Sequence, residues 1–387
     1  MKLFDNTEVA FALKSYAQLE RAYFLFKMIQ NQLLVRIGTF ITNVAFKLHL
    51  PVEGIVRATV FNHFCGGISE DDCLPVIDEM YTKRVHSVLD YSVEGKNNEE
   101  EFDKTVDKVL RVLNFCEERK SIPFAVFKPS GFGRFSLYQK ISEKKELTAK
   151  ENLEWLRVIA RFHTVCKVAL EKDIPVLIDS EESWMQDAAD FLIEDMMETY
   201  NKEKAIVFNT LQMYRHDRMA YLKAVHLRSQ EKGYFLGMKV VRGAYMEKER
   251  NRAEEKGYNS PICSNKKETD DNYDMALVYM MEHKDMAVFA GTHNEDSSLL
   301  LMNLSKKHNI DPSNQRLWFG QLYGMSDHIS FNLAGEGYNV AKYLPFGPVR
   351  DVMPYLIRRA AENTSVAGQT SRELNLLNTE RKRRSLQ

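Results

Sequence analysis

From Ser87 onward the chain alternates between two patterns of apolar and polar residues. The first is a short apolar run rich in β-branched side chains. Eight such runs occur: SVLDYSV (87–93), FAVFK (124–128), PVLID (175–179), AIVFNT (205–210), FLGMKVV (235–241), MAVFAGT (286–292), RLWFGQL (316–322) and NVAKYLP (339–345). Their length and composition predict strands. The second pattern fills the gaps. Segments such as EEEFDKTVDKVLRVLNFCEE and TAKENLEWLRVIARFHTVCKVALEK place apolar residues at helical spacing, with acids early and lysines later, as the helix dipole favours. Eight strands, each followed by a helix, predict an α/β fold of the (β/α)8 TIM-like barrel type. A doubly wound sheet is the alternative, but no G-x-G-x-x-G occurs, and SGFGRFS (130–136) lacks the third glycine.

The residues before this rhythm carry no strand signal. Polar breaks at LPVEG (50–54) and CGGISEDD (65–72) divide them into several helices. The predicted organisation is therefore an all-helical N-terminal extension over 1–85 and a barrel over 86–387. The most apolar early stretch, LLVRIGTFITNVAFKLHL (33–50), is interrupted by Arg36 and Lys47. It predicts a packed helix rather than a membrane span, with a helix lying on a membrane surface as the lesser option.

Composition narrows the function classes. Lysine and arginine total 53 against 54 acids, a net charge of -1, which leaves no electrostatic footprint for nucleic acid. The five cysteines (Cys65, Cys73, Cys116, Cys166, Cys263) are odd in number and widely spaced. No Cys or Cys/His cluster has zinc spacing, and free thiols in a reducing compartment are expected. The N-terminus, MKLFDNTEVAF, has neither the apolar core of a secretory signal nor the Arg/Ser bias of a transit peptide. EKKEL (143–147) is expected to be a solvated loop, and the basic tail ERKRRSLQ to fray.

Barrel chemistry sits at the C-terminal strand ends. Strand one offers Asp90 and Glu94, strand two Lys128, and strand three Asp179 and Glu181. Strand four runs into Asn209, Gln212 and Tyr214; strand five gives Lys239, Arg242 and Tyr245. Strand six gives Thr292, His293 and Asn294, strand seven Gln321, Leu322 and Tyr323, and strand eight Tyr343. Singly each has an ordinary explanation: Asp179 as a helix cap, His293 as a hydrogen-bonded core histidine, Gly243 as a turn glycine. Jointly they make a cationic, aromatic rim poor in metal ligands, and no metal is expected. No Ser/His/Asp or Cys/His arrangement can be assembled. After strand eight, Tyr355, Arg358, Arg359 and Glu362 fall on one face of a predicted helix. A pair of guanidinium forks there suits a carboxylate.

These residues form recognisable motifs. VRGAYMEKER, FAGTHN, QLYGM and YLPFGPVRDVMPYLIRRAAENTS resemble the proline dehydrogenase family, and the likeness runs from DYSVEG to the C-terminus. It is nearer to the stand-alone enzymes than to the barrel of the bifunctional proline utilisation proteins.

The resemblance implies oxidation of L-proline to Δ1-pyrroline-5-carboxylate by hydride transfer to N5 of non-covalent FAD, with electrons passed to a membrane quinone. It implies that Arg358 and Arg359 grip the substrate carboxylate with help from Lys128. Glu94 would pair with Arg358 as a gate, and Glu362 would hold the arginine pair. Tyr245, Leu322 and Tyr343 would wall the ring, and a bulky Tyr343 disfavours hydroxyproline. Gln212, Lys239, Arg242, Gly243, Ala244, Thr269, Thr292, His293 and Asn294 would bind FAD, with Asp179 in the network beneath. The bifunctional proteins show R-x-x-K-G-A-Y where this chain has Lys239-Val-Val-Arg242-Gly-Ala-Tyr245, so which cation meets N5 stays open. A cytoplasmic protein is implied, with peripheral contact at the inner membrane as an option. The alternatives are hydroxyproline dehydrogenase, another FAD barrel reductase of the methylenetetrahydrofolate type, and a non-catalytic proline-binding barrel.

Overall fold

The computed structural model describes residues 2–48, 51–91, 98–365 and 369–386; for 32, 36, 43–47, 55, 358–365 and 369 the description is of backbone alone. The strands are β1 (Val85–Tyr91), β2 (Phe124–Phe127), β3 (Val176–Ile178), β4 (Val207–Gln212), β5 (Leu236–Val241), β6 (Met286–Gly291), β7 (Leu317–Leu322) and β8 (Val340–Phe346). They close into a parallel barrel in chain order, with helices between them. Every residue of β2, β3, β4 and β8 is buried, as the near-continuous apolar runs require of strands covered on both faces. The strands lie within a few residues of the predicted runs. β4 passes its predicted end at Thr210 to pair Leu211 with Val240 and Gln212 with Val241. A buried glutamine gives no strand signal in the sequence.

Two compact units emerge from the packing: residues 95–320, and residues 1–94 together with 321–387. In the first, the Phe124 ring meets the edges of Phe208, Phe289 and Trp318 at centroid distances of 5.8, 5.3 and 5.0 Å. These aromatic contacts bring together side chains from β2, β4, β6 and β7.

In the second unit β1 pairs with β8, from Val85 opposite Val340 to Tyr91 opposite Phe346. Ahead of β1 the described regular structure is helical, the longest pieces being Tyr16–Ile29 and Gln32–Lys47. Tyr16–Ile29 starts on a capping box in which Ser15 and Gln18 satisfy each other's backbone N–H. Its buried face (Leu19, Ala22, Phe26) packs with Phe11 against Leu376 and Leu377 of the helix Gln369–Ser385. A neighbouring cluster joins Leu25, Ile29, Phe61 and Phe64 to Met325, Val352 and Leu356.

Two expectations are corrected here. The helix Gln32–Lys47 is not packed on all its apolar positions. Leu33, Leu34, Ile37, Phe40 and Ile41 are exposed, Phe40 by 69%, and their spacing makes one solvent-facing stripe. Among the described residues no helix is long and apolar enough to cross a membrane. Nor does the basic tail fray. It forms the end of the helix Gln369–Ser385, with Arg381 paired to Glu20 and both Arg383 and Arg384 paired to the fully buried Glu380. Arg384 also donates to the carbonyls of Lys14 (2.6 Å) and Phe11 (2.8 Å). All five cysteines are buried thiols.

Candidate active site

In the unit 95–320 the ends of β4 and β5 build a cradle from the backbone upward. Met213 N–H donates to Val241 O (2.8 Å) and Tyr214 N–H to Arg242 O (2.7 Å), so strand pairing continues past both strand ends. Gly243 has φ +134°, a conformation that suits glycine alone. A Cβ added there would sit 2.5 Å from the Tyr214 ring. The next residue, Ala244, donates its N–H to Gln212 Oε1 (3.2 Å), while Gln212 Nε2 donates to Glu181 O (2.7 Å). These two bonds fix which way the Gln212 amide points.

The two cations of β5 have different surroundings. Lys239 is buried and pairs with Asp179. Arg242 donates from Nε to Asp270 (2.6 Å), from Nη1 to Thr292 Oγ1 (2.7 Å) and from Nη2 to Ser297 Oγ (3.0 Å), with its guanidinium 4.5 Å above the Tyr273 ring. Sequence reasoning singled out Arg242 and Thr292 but missed Asp270, Tyr273 and Ser297, which lie on helices whose facing partners no local pattern reveals. Thr269 is buried in the first turn of the helix Lys266–Glu282, next to Asp270. Asn294 is a helix cap: its Oδ1 accepts from Ser297 N–H (2.9 Å), and its own N–H donates to Thr292 Oγ1 (3.1 Å). His293 beside it is partly buried.

Glu181 had no role in the sequence reading. It is buried and accepts from Ser130 N–H (2.8 Å) and Ser130 Oγ (2.6 Å), and so anchors the turn that follows Lys128. Its own N–H donates to Gln186, which continues to Asp190 (2.8 Å) and on to Arg218 (2.6 Å). Gln212 thus rests on a hydrogen-bonded chain reaching back to the helix Arg218–Lys232. Burial pushes the Glu181 carboxyl from its ordinary 4.5 up to about 7, against the pull of Ser130 and Lys128. In that window the folded protein keeps a proton that the unfolded chain has lost, so Glu181 costs stability as pH rises from 4.5 through 7. Glu181→Gln removes this titration. Relative to wild type, its unfolding free energy should improve by roughly 3 kcal/mol between pH 4.5 and 8, on top of a constant loss of hydrogen bonding. Denaturant melts across that range will show it; a pH-independent difference would contradict the buried titration.

In the unit of 1–94 and 321–387, Tyr343 lies on β8 and is buried, and Leu322 ends β7 partly buried. Tyr343 O accepts from Tyr323 N–H (2.8 Å), which ties the end of β7 to the middle of β8. The helix after β8 spans Val349–Ser365, so positions 355, 358, 359 and 362 share a face as predicted. Tyr355 is buried at its start. Glu94 and the side chains of Arg358, Arg359 and Glu362 lie outside the described residues.

The rim of 95–320 suits an anionic, aromatic group with a phosphate part. The donors are two cations (Lys239, Arg242) and two hydroxyls (Thr269, Thr292), beside a glycine whose missing Cβ lets the loop lie against the Tyr214 ring. That donor set fits FAD.

Known proteins resemble the chain along most of its length. The proline dehydrogenase family model matches residues 73–372. The carbapenem antibiotics biosynthesis protein CarD of Pectobacterium carotovorum subsp. carotovorum is 35% identical over 335 residues, covering 86% of this chain and 86% of that protein. The mitochondrial proline dehydrogenase 1 of Arabidopsis thaliana is 31% identical over 377 residues, 86% of this chain and 76% of its own length. Among solved structures, proline utilization A (PutA) from Bdellovibrio bacteriovorus, inactivated by N-propargylglycine, matches with a TM-score of 0.70 at 21% identity. It covers 94% of this chain, which spans only 37% of that larger protein, and the likeness is one of fold.

Proposed function

The chain belongs to the proline dehydrogenase family, and from that premise we propose that it oxidises L-proline to Δ1-pyrroline-5-carboxylate, with FAD as hydride acceptor and a membrane quinone as final electron acceptor. The observation that carries the reading is the cradle of Gln212, Gly243 and Ala244 with Lys239 and Arg242 beside it, in a chain of this family.

Gln212 would meet the flavin ring. Its amide is already oriented by Glu181 O and Ala244 N–H, and its nitrogen retains a second hydrogen to donate. Arg242 leans on Asp270, Thr292 and Ser297, beside the β6 loop. In this reading Arg242 therefore serves the pyrophosphate, together with Thr269, Thr292, His293 and Asn294. Lys239, on the strand itself and held by Asp179, takes the N5 side. When bound, FAD supplies the acceptor for the hydride leaving C5 of proline.

The substrate side rests on the family motifs. Arg358 and Arg359 grip the carboxylate as two forks, with Lys128 contributing a third positive charge. Glu94 closes over the bound ring by pairing with Arg358, and Glu362 braces the arginines. Tyr245, Leu322 and Tyr343 wall the ring, and Tyr343 excludes a ring hydroxyl, which favours proline over hydroxyproline. Two electrons and one proton leave as hydride from C5; the second proton leaves the ring nitrogen for water. A C=N bond forms.

The test is optical. The purified protein should be yellow, and L-proline added without oxygen should bleach the flavin band. A yellow protein bleached by dithionite but not by proline would overturn the substrate. A colourless protein that cannot be reconstituted with FAD would overturn the reading as a whole.

A further inference from the structure

The turn after β7 is held to a large degree from outside its own segment. It runs Tyr323-Gly324-Met325-Ser326 and contains two left-handed residues, Gly324 (φ +78°) and Ser326 (φ +52°). For a serine that conformation costs on the order of 1 kcal/mol and persists only where the surroundings enforce it. Four backbone groups of the turn are anchored in turn. Tyr323 N–H donates to Tyr343 O (2.8 Å). Gly324 O is 3.0 Å from His63 Nε2. Met325 O accepts from Lys342 Nζ (2.6 Å), and Ser326 N–H donates to Glu373 Oε2 (3.3 Å).

A buried ionic group locks the far end. Lys342 is fully buried on β8 and pairs with Asp327 Oδ1 at 2.6 Å; Lys14 pairs with the other oxygen, Oδ2, at 2.8 Å. Burial opposes ionisation of Asp327, but Lys14 and Lys342 together overcome it and hold the carboxyl below the usual range. Burial pushes the His63 imidazole down to about 3, so the ring is neutral at ordinary pH and donates through Nε2–H. The contact at Gly324 is close: a Cβ there would sit 2.2 Å from His63 O.

We propose that Lys14 and His63 are positioning residues for proline: with Lys342, Asp327 and Glu373 they fix this turn, and through it Leu322 and Tyr343. Leu322 leads directly into the turn, and Tyr343 lends its carbonyl to Tyr323. Both were assigned above to the wall of the ring, so the proposal rests on that reading. It gives the N-terminal region a role in substrate affinity, although Lys14 and His63 lie more than 250 positions from the turn they hold.

The test uses the full-length, FAD-loaded protein with Lys14→Met, His63→Ala and His63→Gln. Lys14→Met and His63→Ala should raise KM for proline about tenfold while kcat stays within about twofold and flavin content is unchanged. His63→Gln, whose amide can still donate to Gly324 O, should recover most of the affinity. Amide hydrogen exchange at Tyr323 and Ser326 should accelerate in the two disruptive variants and not in His63→Gln. Lower melting temperatures with unchanged KM and unchanged exchange would reduce the latch to plain stability and overturn the proposal. If Lys14→Met does not accumulate, the His63 pair decides the matter alone. If the wild type itself ignores proline, the function proposed above fails, and the exchange rates still decide whether these residues hold the turn.

Discussion

Gly243→Ala should yield a folded protein that purifies without flavin. Two effects combine at this position. The backbone sits at φ +134°, which a side chain tolerates at a cost of about 1–3 kcal/mol. The added methyl would also lie 2.5 Å from the ring of Tyr214, whose backbone is pinned to Arg242 O. The ring cannot retreat without breaking the register between the ends of β4 and β5. The loop must move instead, carrying Ala244 away from Gln212 and disturbing both groups that would meet the flavin. A total of roughly 3 kcal/mol corresponds to flavin binding weakened by about two orders of magnitude. Absorbance per mole of purified protein measures the loss, and circular dichroism confirms that the barrel survives. A variant that keeps stoichiometric flavin would show that the cradle does not bind it.

The second large effect is expected at the arginine pair. Arg358→Ala and Arg359→Ala should each raise KM for proline steeply with flavin still bound. Truncating one member of a desolvated, hydrogen-bonded charge pair costs roughly 2–5 kcal/mol, so KM should rise by about thirtyfold at the least. A lysine in either place should recover little, because a point charge cannot reproduce a planar fork. Steady-state kinetics with an artificial acceptor will decide; a wild-type KM in either variant removes that arginine from the carboxylate.

The barrel was legible because its signals are local. Each strand is a short apolar run, and each rim residue sits in the later part of such a run or within a few residues after it. The helix carrying Arg358 and Arg359 was equally plain from its spacing. What escaped depends on distant contacts. Glu181 shares its strand end with Asp179, yet only the approach of Ser130 shows what it does. Asp270 and Ser297 matter because Arg242 reaches them, and nothing in their own neighbourhood says so. The tail misled for a related reason: a run of arginines reads as solvated until Glu20, Glu380 and two carbonyls come to meet it. In the helix Gln32–Lys47 the failure ran the other way. Its apolar residues signalled burial, but periodicity cannot say whether a stripe finds a partner within the chain.

The five buried thiols give the protein a built-in gauge of its own opening. Burial pushes the Cys116 thiol up to about 12 and raises those of Cys65 and Cys166 as well, so these reactive thiolates are scarce while the fold is closed. Cys65 and Cys73 belong to the unit of 1–94 and 321–387, whereas Cys116, Cys166 and Cys263 belong to 95–320. Labelling by a thiol reagent therefore reports when each unit loosens, and the order in which peptides become tagged tells the unit of 95–320 from the unit of 1–94 and 321–387 without any engineered probe.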